Sequence, residues 1–80
     1  MKIIKLYQPY CSPCRTVTQF LESHNIEHEA INVLANPNAA MKYNIMSTPV
    51  TILLDDKGNE IQRSVGFKPH ELEEMISKLQ

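Results

Sequence analysis

Gln8-Pro9-Tyr10-Cys11-Ser12-Pro13-Cys14, running on into Arg15-Thr16-Val17, is the stretch that decides the fold. It begins where the apolar run Ile3-Ile4-Lys5-Leu6-Tyr7 ends, and it opens a helical pattern over residues 12–24 in which Val17, Phe20 and Leu21 share one face. A strand turning tightly into a helix is the first half of a βαβ unit. Pro13 suits the first helical turn, where its missing N–H costs no helical hydrogen bond and its fixed φ is already helical. Cys11 and Cys14 are the only cysteines in the 80 residues. Three positions apart on a first turn, their Cα atoms come within the span of a disulfide, and Cys11 meets unpaired backbone N–H groups. Such donors favour a thiolate. Lowering a thiol pKa from about 8.5 to about 7 is worth roughly 2 kcal/mol and raises the ionised fraction at neutral pH from a few per cent to about half.

Outward from this stretch, strand and helix patterns alternate without repeats or linkers. Residues 2–7 read as a buried first strand and Glu27 to Val33 as a second. Asn36-Pro37 resembles an N-cap and first helical residue of a short helix ending near Tyr43 and Asn44, with Ala39 and Ala40 allowing close packing. Val50-Thr51-Ile52-Leu53-Leu54 is a continuous, β-branched apolar run, and Asp55-Asp56-Lys57-Gly58-Asn59 turns it into a fourth strand around Glu60 to Ser64. A last helix starts near Pro69, with Leu72, Met75, Ile76 and Leu79 in one stripe, Glu71, Glu73 and Glu74 as an acidic first turn and Lys78 late. The expected order is βαβαββα. A right-handed crossover makes the first two strands parallel and the hairpin adds antiparallel neighbours, giving an α/β fold with a four-stranded mixed sheet packed by three helices. Residues 1–80 are expected to form a single domain.

A net charge of −1, with Lys and Arg spread along the chain, gives no electrostatic case for nucleic acid or an anionic membrane. Proteins are the expected partners. The apolar start at residues 1–7 is too short for a signal peptide and is broken by Lys5, so a cytoplasmic location is expected. In that reducing compartment a close cysteine pair is more often catalytic or metal-binding than structural. A structural staple over so short a loop would stabilise the fold by only roughly 2 kcal/mol. A zinc site is another alternative, since His24 and His28 complete C-x2-C-x9-H-x3-H, but a finger needs a longer gap and both histidines on one helix. Inert buried thiols are a third. Thiol-disulfide exchange fits the placement best, while His24, His28 and His70 read as surface residues without a catalytic role.

The element order, the CxxC at the first strand-helix junction and Thr48-Pro49 ahead of the third strand together resemble the thioredoxin superfamily over nearly the whole chain. The short length and Gly66-Phe67-Lys68-Pro69 are similar to small glutaredoxin-like thioredoxins, which include NrdH-redoxins and the short thioredoxins of Bacillus and its prophages. The resemblance implies a thiol-disulfide oxidoreductase in which Cys11 attacks a protein disulfide and Cys14 resolves the mixed disulfide. It implies a cis peptide bond at Pro49, with the Thr48 backbone pairing with an extended substrate segment like an added strand. Tyr10, Ser12, Pro13, Thr48, Pro49, Gly66 and Phe67 become the expected partner-binding residues. No bound cofactor is implied. Electrons reach the Cys11-Cys14 disulfide indirectly from NADPH through thioredoxin reductase, and disulfide-containing proteins receive them, ribonucleotide reductase among the candidates. A monomer is expected.

Other readings stay open beside it. Tyr10 stands where typical thioredoxins carry Trp and many glutaredoxins carry Tyr, and as a residue beside a turn it could simply pack. Phe67 could offer an apolar contact or pack against the last helix. Lys5 lies six residues before Cys11, where typical thioredoxins carry a buried aspartate; strand alternation turns such a lysine to solvent, the alternative being an ammonium held near the sulfurs. The NrdH-type Trp is absent from Ser64-Val65-Gly66-Phe67-Lys68-Pro69, and so is the Cys-Asp pair that many glutaredoxins use near glutathione. The rival functions are a glutathione-dependent glutaredoxin and a non-catalytic, redox-sensitive protein-binding module.

Overall fold

The structure, a computed structural model, describes residues 1–79. Its elements are β1 (Lys2–Tyr7), α1 (Ser12–Ser23), β2 (His28–Asn32), α2 (Pro37–Lys42), β3 (Val50–Leu54), β4 (Glu60–Val65) and α3 (Pro69–Leu79). The sheet order is β2-β1-β3-β4, with β1 parallel to β2 and antiparallel to β3, and β3 antiparallel to β4. This is the expected mixed sheet with three helices.

Strand alternation sorts the core onto two faces. Ile3 and Leu53 point to one side, where they meet Val17 and Leu21 of α1 and Leu72, Met75 and Ile76 of α3. Ile4, Leu6, Val50, Ile52 and Leu54 point to the other, against Ala39, Ala40 and Tyr43. With both faces covered, β1 is buried from Ile3 to Leu6 and β3 along its whole length, which is why β3 reads as an unbroken apolar run. Each fully buried Leu or Ile contributes about 1.5–3 kcal/mol relative to exposure, so these two layers hold the sheet flat against its helices.

Turn chemistry sets the ends. Asn25 and Asn44 adopt positive φ of 57° and 54° just after α1 and α2, a conformation that asparagine tolerates. Asn25 therefore separates His24 from His28. In the hairpin, Asp55 Oδ1 accepts from the backbone N–H groups of Lys57 and Asn59 at 2.9 and 2.8 Å, and Gly58 supplies φ 84°. Asn36 occupies the N-cap position of α2 without a side-chain capping bond. Asn32 serves the preceding loop instead, its Oδ1 accepting from Leu34 N–H at 2.9 Å. The acidic start of α3 is also narrower than its sequence suggests: only Glu71 lies in the first turn, where it accepts from the Ser64 hydroxyl at 2.7 Å.

Candidate active site

Where β1 ends, the chain must reverse into α1 within four residues, and Tyr10 makes the turn with φ 61°. Its ring is 99% exposed, so it packs against nothing. Cys11 follows as the N-cap of α1 in extended backbone, its carbonyl accepting from Arg15 N–H at 3.2 Å. The Cys14 backbone N–H donates to Cys11 Sγ at 3.2 Å, one of the donors a helix start leaves free. Ser12 and Pro13 complete the exposed first turn. Cys11 and Cys14 form a disulfide with a Cα–Cα separation of 5.2 Å.

The two sulfurs sit in different surroundings. Cys14 is 3% exposed, on the face of α1 that also carries Val17 and Leu21, whereas Cys11 is only half-buried at the helix tip. Helical geometry creates this difference. The N-cap lies at the edge of the helix, and a residue three positions on points back beneath it.

Two further loops meet this tip. The pairing of Leu6 with Val50 sets the exit of β1 beside the entry to β3, so the residues just before Val50 lie next to the CxxC turn. The Thr48–Pro49 peptide bond is cis, Pro49 is fully buried, and the Thr48 hydroxyl lies 3.8 Å from Cys11 Sγ. Gly66, at φ 82°, donates its N–H to the Pro49 carbonyl at 2.8 Å. Beside it Phe67 packs edge-on against Phe20 of α1, with ring centroids 5.8 Å apart. The structure gathers Cys11, Cys14, Thr48, Pro49 and Gly66 at one end of the sheet, with Tyr10 on its rim.

Lys5 corrects an expectation. Strand alternation was to turn it to solvent, yet it is only 6% exposed. A strand covered on both faces has no solvent side, and Lys5 shares the face of Ile3, beneath α1. Its ammonium donates to the Thr18 hydroxyl, and Nζ lies 5.3 Å from the centroid of the Tyr7 ring. Burial pushes the Lys5 pKa down, partly offset by the charge of Glu22. Lys5, Thr18, Cys11, Cys14 and Tyr10 line one cleft of about 220 Å³. Thr18 went unnoticed in the sequence, where a lone threonine on a helix gives no signal.

The zinc-like spacing is not assembled. His24 caps the far end of α1, its Nδ1 2.9 Å from the Phe20 carbonyl and its ring stacked on Phe20, so about 18 Å of helix separates it from the cysteines. His28 lies on β2 and His70 in the first turn of α3. Among the described residues, no three His, Cys, Asp or Glu side chains group to hold a metal, and no helix is long and apolar enough to cross a membrane.

Comparison with known proteins agrees with this geometry. The Glutaredoxin family model matches residues 1–53. The chain is 49% identical over 79 residues to the SPbeta prophage-derived thioredoxin-like protein YosR of Bacillus subtilis, covering 99% of both chains. It is 35% identical to a thioredoxin of the same organism, covering 90% of this chain and 75% of that one. Among solved structures, a Schistosoma mansoni thioredoxin matches with a TM-score of 0.81 at 27% identity, over 98% of this chain and 77% of that one. Thioredoxin 1 of Thermosipho africanus matches at 0.76 and 26%, over 99% and 93%. With the Cys11–Cys14 disulfide at the head of α1, the chain belongs to the glutaredoxin/thioredoxin-like family and is a thioredoxin-like oxidoreductase.

Proposed function

We propose that this protein is a monomeric, cytoplasmic electron carrier that reduces disulfides in other proteins, with Cys11 as the attacking sulfur and Cys14 as the resolving one. The observation that carries this reading is the inequality of the two sulfurs: Cys11 is at the surface and receives a backbone N–H, while Cys14 is buried. In the dithiol state, Cys11 thiolate attacks a target disulfide and forms a mixed disulfide. Cys14 then attacks Cys11 Sγ, the target leaves as a thiol, and two electrons have passed from the CxxC pair to the target. The N–H of Cys14 meets the negative charge on Cys11 Sγ before attack.

Partner contact falls to the rim. Tyr10, 99% exposed, offers apolar surface next to Cys11, and Met46, 97% exposed, shares a cleft with Gln8 and Thr48. An extended target segment can pair with the Thr48 backbone as an added strand, guided by Pro49 and Gly66. Thioredoxin reductase, supplied by NADPH, is the proposed electron source, and ribonucleotide reductase is a candidate target.

Insulin reduction tests this directly. Turnover with NADPH and thioredoxin reductase supports the reading; turnover only with glutathione and glutathione reductase replaces it with the glutaredoxin alternative, which the family model matching residues 1–53 favours. No turnover with either, together with unchanged partner binding by Cys11→Ser/Cys14→Ser, leaves a binding module. Cys14→Ser is expected to trap natural targets as mixed disulfides.

A further inference from the structure

Across the middle of the sheet, on the face beneath α1 and α3, runs a row of polar side chains beside the apolar pair Ile3 and Leu53. Lys5 pairs with Thr51, and Thr51 with Ser64. All three are buried, at 6%, 0% and 1% exposed. Ser64 is satisfied by Glu71 of α3, while the Thr51 hydroxyl is buried without a partner. At the other end of the row, the Lys5 ammonium donates to Thr18, and the Thr18 hydroxyl in turn donates to the Cys14 carbonyl at 3.2 Å. The row thus ends under Cys14, in the cleft that Lys5 lines together with both sulfurs.

Burying an ammonium is costly, and a hydrophobic residue of similar size would ordinarily serve the fold as well or better. The position of this charge therefore calls for a use. We infer that Lys5 is a positioning residue for the resolving step, its ammonium held by Thr18 so that it stabilises the negative charge that forms on Cys14 Sγ. The inference rests on the proposed exchange function.

The balance of the step is simple. Cys14 releases its proton to water through the open cleft and attacks Cys11 Sγ. The Cys11–Cys14 bond forms, the bond from Cys11 to the target breaks, and the departing target thiolate takes a proton from water. Lys5 stays protonated throughout and supplies only charge.

Titratable and charged groups reach the surroundings of Lys5 from several elements. From α1 these are Cys11, Cys14, Arg15 and Glu22; from β1, Tyr7; and from the adjoining turn, Tyr10. β3 and β2 contribute uncharged Thr51 and Ala30 opposite Lys5, and α3 contributes Glu71 through Ser64. Burial lowers the Lys5 pKa and the charge of Glu22 partly offsets this, so the ammonium loses its proton at a lower pH than an exposed lysine does.

The test uses the full, reduced protein with Ellman's reagent, followed by stopped flow from pH 5 to 10. The first thionitrobenzoate released reports attack by Cys11, and the second reports resolution by Cys14. In Lys5→Met and Lys5→Gln the pH midpoint of the second release is expected to rise by about one unit, slowing it roughly tenfold at pH 7, whereas Lys5→Arg keeps the wild-type midpoint. The first release is expected to change less than the second. An unshifted second release in a folded Lys5→Met or Lys5→Gln protein overturns the inference, as does an equal shift in Lys5→Arg. Absence of the second release in the wild type sinks the exchange function itself, so the two failures are told apart.

Discussion

The Gly66 amide donates to the Pro49 carbonyl across 2.8 Å, tying the loop after β4 to the residue that leads β3. This bond requires the left-handed backbone of Gly66, at φ 82°. Open space surrounds the position where a Cβ would stand, so a substitution there meets strain of the backbone alone. Gly66→Ala is expected to cost about 1–2 kcal/mol in urea unfolding, with Gly66→Asn costing less because asparagine visits this conformation more readily. Equal stability of all three proteins would show that the loop does not hold this geometry in solution.

Tyr10 presents the converse case. A tyrosine at φ 61° with a ring that is 99% exposed carries backbone strain without any packing in return. Tyr10→Gly is therefore expected to change stability favourably, by up to about 1 kcal/mol, while reducing kcat/KM for insulin. Unchanged kcat/KM would remove Tyr10 from the contact surface.

Alkylation should read out the different burial of the sulfurs. In the reduced protein at pH 7, iodoacetamide is expected to modify Cys11 rapidly and Cys14, at 3% exposed, only after unfolding in guanidinium. Peptide mass mapping of a short time course decides the point. Labelling of both cysteines at comparable rates contradicts the proposed division of roles.

The hairpin predicts a pH dependence. Hydrogen bonds from the Asn59 backbone first, then from Lys57, the Asn59 side chain and Gly58, hold the Asp55 carboxyl below its usual pKa. A depressed carboxylate pKa stabilises the fold above the unfolded value, near 4, and that contribution is lost as pH falls through the folded value. Asp55→Asn is expected to be less stable than wild type at pH 7, with the two melting temperatures drawing together as pH falls below about 4. A constant gap across that range contradicts the assignment.

A core truncation calibrates the rest. Leu21 is fully buried among α1, α3 and the sheet, and Leu21→Ala is expected to cost about 2–5 kcal/mol in denaturant unfolding. A cost under 1 kcal/mol would mean that this layer is loosely packed.

The elements legible in the sequence were those where local and long-range forces agree. β3 needed only its apolar run, and α1 its periodic face together with Pro13 and two cysteines. Capping was harder to read, because Asn32 and Asn36 are chemically identical and only the loop path decides which side chain reaches the free N–H groups. Lys5 failed for a different reason. Alternation assigns a polar residue to water only when one face of the strand is open, and β1 lies between neighbours with helices on both sides. The site's main residues were readable from their motifs, whereas Thr18 and the buried polar row depended on register between strands far apart in the chain.

Because β1 and β3 run in opposite directions at the centre of the sheet, everything reactive collects at one pole and the Asp55–Asn59 turn is left at the other. Five paired residues, a span of about 17 Å, lie between them. That distant turn is a natural place to graft a fluorophore or affinity tag while leaving the sulfur chemistry untouched.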